Sequence, residues 1–172
     1  MLTNKQPRGL LRLFLRMPIL LYRAHLGWLL GSRFLMLTHI GRKSGLPREV
    51  VLEVVHHNFE TGAYFVAAGW RGKADWFKNI QSNPKIQVMV GMRTFQAEAS
   101  VVQLAEAASI FYLYACRHPF AFRELSYLMV GEMYQPAQYD CVWFAHSLPL
   151  VMLTPIQFNL AQDEEDLKRN KK

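Results

Sequence analysis

Short apolar segments separated by turn residues fill the chain between residues 34 and 103, and this pattern restricts the fold most strongly. In the last of these segments, Phe95, Ala97, Ala99 and Val101 alternate with polar residues, which is the period of a half-buried strand. The short spacings and the turn residues predict an antiparallel sheet or barrel rather than βαβ units. The predicted strands are 34–40, 48–57, 62–69, 86–91 and 93–103, with a closing strand at 148–155.

Helices are predicted in two stretches. In 73–84, Trp76, Asn79 and Ile80 fall on one side at helical spacing, and an Asn-Pro pair ends the helix because the residue before proline disfavours helical angles. In 104–131, Ala and Leu dominate and a His-Pro pair divides the stretch into two helices. Strands and helices together indicate the α+β class.

Composition limits the domain organisation and the compartment. A chain of 172 residues with 51% hydrophobic and 19% charged residues fits one folded domain, which we expect to span 1–160 before a charged tail at 161–172. The formal net charge of +7 favours anionic partners without identifying them. The two cysteines form no CxxC pair, so we expect a reducing, cytoplasmic compartment.

Basic and apolar residues interleave in "RGLLRLFLRMPILLYRAHLGWLLG", residues 8–31. Its arginines break the apolar run that a spanning helix or a signal peptide needs. Two short helices that meet at Met17-Pro18 fit this stretch better. They either pack on the core or lie on the inner face of a membrane as peripheral basic helices, and the charge pattern leaves both interpretations open.

Positive charge is concentrated in the turn "THIGRKSGLPREV", residues 38–50. Gly41 and Gly45 permit a tight bend and let main-chain N–H groups approach a ligand. The turn is therefore either a cradle for an anionic ligand or a solvated hairpin tip. The order of a nucleotide P-loop is absent, and no nucleic-acid module is recognisable, so we expect no nucleic-acid partner. The candidate anion ligands are Arg42, Lys43, Ser44 and Arg48.

Metal and nucleophile chemistry is not indicated by the sequence. His56 and His57 are neighbours in a predicted strand, so their side chains face opposite sides and cannot chelate one metal together. The other histidines have no ligand spacing, and no Gly-x-Ser-x-Gly or Cys/His signature is present. We therefore expect no metal site.

Four stretches, taken together, resemble a known family: "GRKSGLPREVVLEV", "YFVAAGW", "ADWFKNIQSNPKIQV" and "LPLVMLTP". Their order and spacing are similar to those of the deazaflavin-dependent nitroreductases, also called F420-dependent quinone reductases. This resemblance implies an α+β split β-barrel, antiparallel and close to the FMN-binding, pyridoxamine-oxidase-like proteins, with flanking helices. It also implies coenzyme F420, a deazaflavin, as the cofactor, with FMN as the alternative.

The resemblance also implies roles for particular residues. The basic turn would hold the anionic tail of F420, and Tyr134 would deliver a proton where solvent does not. Glu49 and Glu53 depart from the family pattern, so their carboxylates must point away from the tail or pair with Arg48. The implied cofactor-binding residues are Arg42, Lys43, Ser44, Arg48, Ala67, Ala68, Gly69, Trp70, Trp76 and Asn79, with the last two on a helix that closes over the cofactor.

The function that the resemblance implies is hydride transfer from reduced deazaflavin to a small organic acceptor, which is a quinone, a nitroaromatic or an enone. Two alternatives stay open: an FMN-binding flavoprotein on the same barrel, and a non-catalytic carrier of an anionic cofactor. The oligomeric state cannot be read from the sequence.

Overall fold

Six antiparallel strands close into a barrel in the order β1-β2-β3-β6-β5-β4. A computed structural model describes residues 20, 22, 24, 27–69, 72–131 and 133–156. Within them, the strands are β1 (Phe34–Ile40), β2 (Pro47–His57), β3 (Tyr64–Ala67), β4 (Lys85–Val90), β5 (Arg93–Val101) and β6 (Leu150–Pro155). The helices are α1 (Asp75–Ser82), α2 (Leu104–Arg117), α3 (Pro119–Val130) and α4 (Gln138–Ser147).

The predicted antiparallel barrel is confirmed, and each predicted strand is present within two residues of its expected bounds. The predicted division of 104–131 is also confirmed, because α3 begins with Pro119, whose ring is tolerated in the first turn of a helix. Helix α4 was not predicted. The charged tail at 161–172 and most of the predicted basic helices at 8–31 lie outside the described residues.

The interior of the barrel is an apolar core closed at one end by α1. Alternate side chains of the strands point inward, as the two-residue period requires, and they include Leu35, Leu37 and Val66. Helix α1 places Trp76 and Ile80 in the same cluster. Because α1 fills the barrel end with large apolar side chains, it closes the core at that end, and we call this helix the plug.

A second apolar layer covers the outer face of β2, β3 and β6. Helices α2, α3 and α4 meet there around Phe144, whose ring lies edge-on at 4.8 Å from Phe111 and 4.9 Å from Phe122. Edge-to-face packing of this kind is favourable for aromatic rings. The helices therefore bury one face of the barrel wall.

The barrel wall is split between β2 and β3. Strand β2 pairs with β1 from Pro47 to Glu53, but it pairs with β3 only from Val54 to His57. A register shift at Val54 to His56 marks a β-bulge, which bends the strand. Residues 47–53 of β2 and the end of β3 thus separate towards the barrel end that α1 closes.

Candidate functional site

The separation of β2 and β3 creates an opening that we call the split cleft. Residues 47–53 of β2 form one side, and residues 67–69, which continue from β3, form the other. The basic turn, residues 41–48, runs from the end of β1 through the first two residues of β2, at the mouth of this cleft. The topology therefore brings the predicted tail-binding turn and the predicted ring-binding segment to the same opening.

The backbone of the basic turn is bonded to itself. The Gly41 N–H donates to the Leu46 carbonyl at 2.9 Å, and the Gly45 N–H donates to the Gly41 carbonyl at 2.8 Å. Gly45 has a positive φ of 65°, a conformation that favours glycine. A Cβ on Gly41 would lie 2.7 Å from Ser44 Oγ, so a larger residue there would have to displace the Ser44 side chain. The N–H groups of these two glycines are therefore bonded within the turn, and the approach of other main-chain N–H groups to a ligand stays a prediction.

Arg42 ties the basic turn to α1. Its backbone N–H donates to Asn79 Oδ1 at 3.1 Å, and its guanidinium donates to the same oxygen at 2.9 Å. The guanidinium also reaches the Asp75 carbonyl at 3.4 Å and Asp75 Oδ1 at 3.3 Å. These four hydrogen bonds attach the turn to the helix through Arg42, and we call this attachment the strut.

Asn79, which accepts two of these bonds on α1, is itself held by a buried hydrogen bond to His39. Asn79 Oδ1 accepts from Arg42, so Asn79 Nδ2 is the donor towards His39 Nδ1 at 3.2 Å. His39 and Asn79 are only 4% and 5% exposed. Burial lowers the pKa of His39 below its usual value, and the nearby charge of Arg48 acts in the same direction. The imidazole is thus held neutral as a hydrogen-bond acceptor at Nδ1.

Lys43 and Arg48 are the cations of this turn that remain available. Both side chains are exposed, and within the part of the chain that the structure describes neither forms a hydrogen bond or an ion pair. Arg48 lies opposite His39 where β1 pairs with β2. It is two residues before Val50, which faces the core, so the Arg48 side chain is on the same side of the strand and lies at the barrel end. Two uncommitted cations at the mouth of a cleft fit a group with an anionic tail.

The predicted ring-binding segment forms the opposite side of the split cleft. The Ala68 N–H donates to the Pro149 carbonyl at 2.8 Å, so this amide is already used. Ala67 is half-buried on the outer face, and Gly69 is buried. Trp70, the fourth predicted residue of this segment, lies outside the described residues.

The two predicted residues of α1 are both internal. Trp76 is 6% exposed and packs in the barrel core, with its ring edge-on to Phe77 at 6.0 Å. Asn79 bonds to Arg42 and His39. A role for this helix as a lid over the cofactor stays a prediction.

Tyr134 lies in the helix layer. Its ring is 5.9 Å from the Phe144 ring, and its backbone N–H donates to the buried Ser126 Oγ at 3.1 Å. Its side chain is half-buried. These two contacts join Tyr134 to α3 and α4 rather than to the basic turn, and its role as a proton donor stays a prediction.

Glu49 and Glu53, the two carboxylates of β2 that depart from the family pattern, lie on the outer face of the barrel because they alternate with core-facing residues. Glu53 accepts from the Arg33 guanidinium at 3.2 Å and from the Tyr114 hydroxyl at 3.0 Å. Its carboxylate therefore points away from Arg48, which is one of the two arrangements expected. Arg33 and Tyr114 were not predicted as its partners, since Tyr114 is 61 residues from Glu53 and no local pattern links them.

The described residues also bear on metal binding and membrane crossing. Among them, no group of three or more His, Cys, Asp or Glu side chains is arranged to hold a metal ion. None of the helices described has the length and apolar character that crossing a membrane requires.

Comparison with known proteins gives a match to one family model and matches to solved structures. The model of the F420H(2)-dependent quinone reductase family matches residues 19–124. No curated protein matches the chain. An FMN-binding protein related to pyridoxamine 5'-phosphate oxidase from Nostoc punctiforme PCC 73102 is 11% identical, with 88% of this chain and 84% of that chain covered and a TM-score of 0.52.

Two further solved structures are similar. A domain-swapped dimer is 20% identical, covering 72% of this chain and 81% of that chain with a TM-score of 0.50. An F420-H2 dependent reductase is also 20% identical, covering 72% of this chain and 95% of that chain with a TM-score of 0.49. At these identities the likeness to the FMN-binding protein and to the domain-swapped dimer, both with TM-scores of at least 0.50, shows the fold alone. The family model covers well over half of the chain, and the chain therefore belongs to the F420H(2)-dependent quinone reductase family.

Proposed function

We propose that this F420-dependent oxidoreductase reduces a small organic acceptor, which is a quinone, a nitroaromatic or an enone. The observation that carries the proposal is the pair of uncommitted cations, Lys43 and Arg48, at the mouth of the split cleft. A coenzyme with a phosphate and carboxylate tail needs cations of this kind. Lys43 binds the tail as a flexible point charge, and Arg48 can bind phosphate or carboxylate in a bidentate manner.

The other residues of the site act on position and access. Arg42, Asn79 and His39 hold the basic turn against α1, so that Lys43 and Arg48 stay at the mouth of the cleft. Bound F420 in its reduced form supplies the hydride. Ala67, with its small side chain on the outer face, leaves room for a flat ring beside the strand.

Proton delivery completes the reduction. An acceptor oxygen that has received a hydride equivalent gains negative charge and takes up a proton from solvent or from a nearby acid. Tyr134 is our candidate for that acid. Tyr134→Phe should reduce kcat and leave F420 affinity unchanged if the phenol acts, and it should leave both unchanged if solvent alone supplies the proton.

A binding titration separates this proposal from its alternatives. Purified protein is titrated with F420 and, separately, with FMN, while the fluorescence of each cofactor is followed. We expect saturable binding of F420, weaker binding of FMN, and consumption of reduced F420 only when an acceptor is present. Tighter binding of FMN would overturn the choice of cofactor, and binding without turnover of any acceptor class would make the protein a carrier.

We propose in addition that the basic segment at 8–31 brings the enzyme to the inner face of a membrane, where a lipid-soluble quinone would be available. The support is its alternation of arginine and apolar residues. The full-length chain should sediment with anionic vesicles and be released by salt, because each basic residue near such a surface contributes about 1 kcal/mol at moderate ionic strength. Absence of sedimentation in dilute buffer would contradict the proposal.

A further inference from the structure

An open cavity of about 250 Å³ lies beside β2, on the side that faces α2. Most of its lining residues carry polar or charged groups that can bind a ligand, and Arg33 and Glu53 among them are charged. The lining residues are Ser32, Arg33, Glu53, Val54, Tyr114 and His118.

The strand register joins this cavity to the split cleft. Pairing of β2 with β3 stops at Val54 and Val66, so the next residues towards the mouth are Glu53 and Ala67. Both of these lie on the outer face of the barrel, where α2 packs. The cavity and the split cleft therefore share Glu53, and by the strand register Ala67, where the ring of the cofactor is expected, lies opposite it.

The carboxylate of Glu53 is held in a fixed orientation at the cavity wall. Arg33 Nε, Arg33 Nη2 and the Tyr114 hydroxyl all donate to the same oxygen, Oε1. Burial, reinforced by the Glu53 charge, raises the pKa of Tyr114, so its phenol stays protonated as a donor. The side chains of Glu53 and Arg33 are 24% and 64% exposed, so a ligand in the cavity can reach both.

We propose that this cavity is the acceptor pocket and that it selects acceptors with a hydrogen-bond donor, an amino or hydroxyl group, beside the reducible carbonyl or nitro group. The donor binds the second oxygen of Glu53, and the carbonyl or nitro oxygen binds Arg33. Tyr134 does not line this cavity, so solvent supplies the proton to an acceptor bound here. An acceptor with only apolar substituents would desolvate this ion pair without replacing its bonds to water, which penalises binding. The inference rests on the proposed function and names its substrate class.

The test compares an amino-substituted with a methyl-substituted naphthoquinone in wild type and Glu53→Gln. The glutamine keeps an oxygen for Arg33 and Tyr114 but replaces the second oxygen by a donor. We expect Glu53→Gln to lower kcat/KM for the amino compound about ten- to hundredfold relative to the methyl compound, the scale of one charge-assisted hydrogen bond. Comparing the two ratios removes the intrinsic reactivity of each acceptor.

Controls separate the pocket from the cofactor site and from the fold. F420 affinity should be the same in Glu53→Gln and wild type, and Glu98→Gln, an exposed carboxylate on β5, should change neither acceptor preference nor affinity. Tyr114→Phe removes one bond that fixes Glu53 and should shift the preference in the same direction by a smaller factor. It provides a second variant should Glu53→Gln fail to fold.

Equilibrium dialysis of the amino compound with cofactor-free protein gives a readout other than turnover. Glu53→Gln should weaken this binding, whereas the methyl compound should bind wild type and variant equally. Equal effects on both compounds, or no effect on either, would overturn the acceptor pocket. If wild type failed to bind F420, the proposed function would fall while the dialysis result still decided the pocket.

Discussion

At the scale of single residues, the cations of the basic turn divide into two roles that the sequence does not distinguish. Arg42 is bonded to Asn79 and Asp75, whereas Lys43 and Arg48 are exposed and uncommitted within the described part of the chain. The adjacent cations Arg42 and Lys43 therefore affect different properties: the first should act on stability and the second on affinity for an anionic ligand.

Lys43→Ala should weaken F420 binding by about 1–3 kcal/mol, the contribution of a charge-assisted bond. The loss should shrink at high salt, because screening already weakens the interaction in wild type. Fluorescence titration at two ionic strengths measures both effects. Arg123→Ala removes the same unit of charge from α3 and serves as the control. Unchanged affinity in Lys43→Ala would exclude the turn as the tail site.

Asn79→Ala should lower the free energy of unfolding by about 1–3 kcal/mol, because it leaves the buried His39 and the Arg42 N–H without their partner. F420 affinity should fall as well, since the turn loses its attachment to α1. Urea unfolding and titration on the same sample measure the two losses. An exposed amide gives the control, and Gln96→Ala on β5 should change neither quantity. Full stability with normal affinity would show that the strut is dispensable.

At the scale of elements, α1 is part of the core. Trp76→Ala removes a large buried ring from the barrel end and should lower the free energy of unfolding by about 3–5 kcal/mol. Trp76→Phe, which keeps an aromatic ring there, should cost less. Chemical denaturation of both variants tests the plug. If Trp76→Ala kept its stability but lost F420 affinity, the helix would be a lid.

The packing of helix α4 could not be predicted from its sequence pattern. Its sequence, "QYDCVWFAHS", has apolar residues all round, so no single face indicates how it packs. The structure buries Phe144 between α2 and α3 and leaves Trp143 exposed. Which apolar residues face inward depends on helices far away in the sequence, and a local pattern does not contain that information.

At the scale of the whole molecule, neutral histidines make stability depend on pH. His57 stacks on Tyr64 with 4.0 Å between ring centroids, and burial, with the charges of His56 and Arg93, lowers its pKa to about 4. The unfolded chain binds the proton near pH 6.5 and the folded chain does not until about pH 4. Stability should therefore fall as pH decreases from 6.5 towards 4 and be independent of this group above that window.

His57→Phe keeps a ring against Tyr64 and removes the titration. Its unfolding free energy should decline less than that of wild type between pH 6.5 and 4, and the two curves should run parallel at higher pH. Urea midpoints at a series of pH values give the comparison. Identical slopes in this window would mean that His57 carries a proton equally in the folded and unfolded states.

The sequence by itself determined the strands, the division of α2 from α3 and the location of the basic turn. These features depend on local physics: a two-residue alternation, a proline that cannot continue a helix, and glycines that permit a bend. The antiparallel class followed because short connections between strands leave few other arrangements.

The tertiary structure alone decided what the charged side chains do. Arg42 meets Asn79 across 37 residues, and Glu53 meets Tyr114 across 61. Such pairs form only when the barrel closes and the helices pack, because burial then makes an unpaired polar group costly and fixes its partner. Closure also opens the split cleft, since β2 follows β1 to its end while β3 turns away at Ala67.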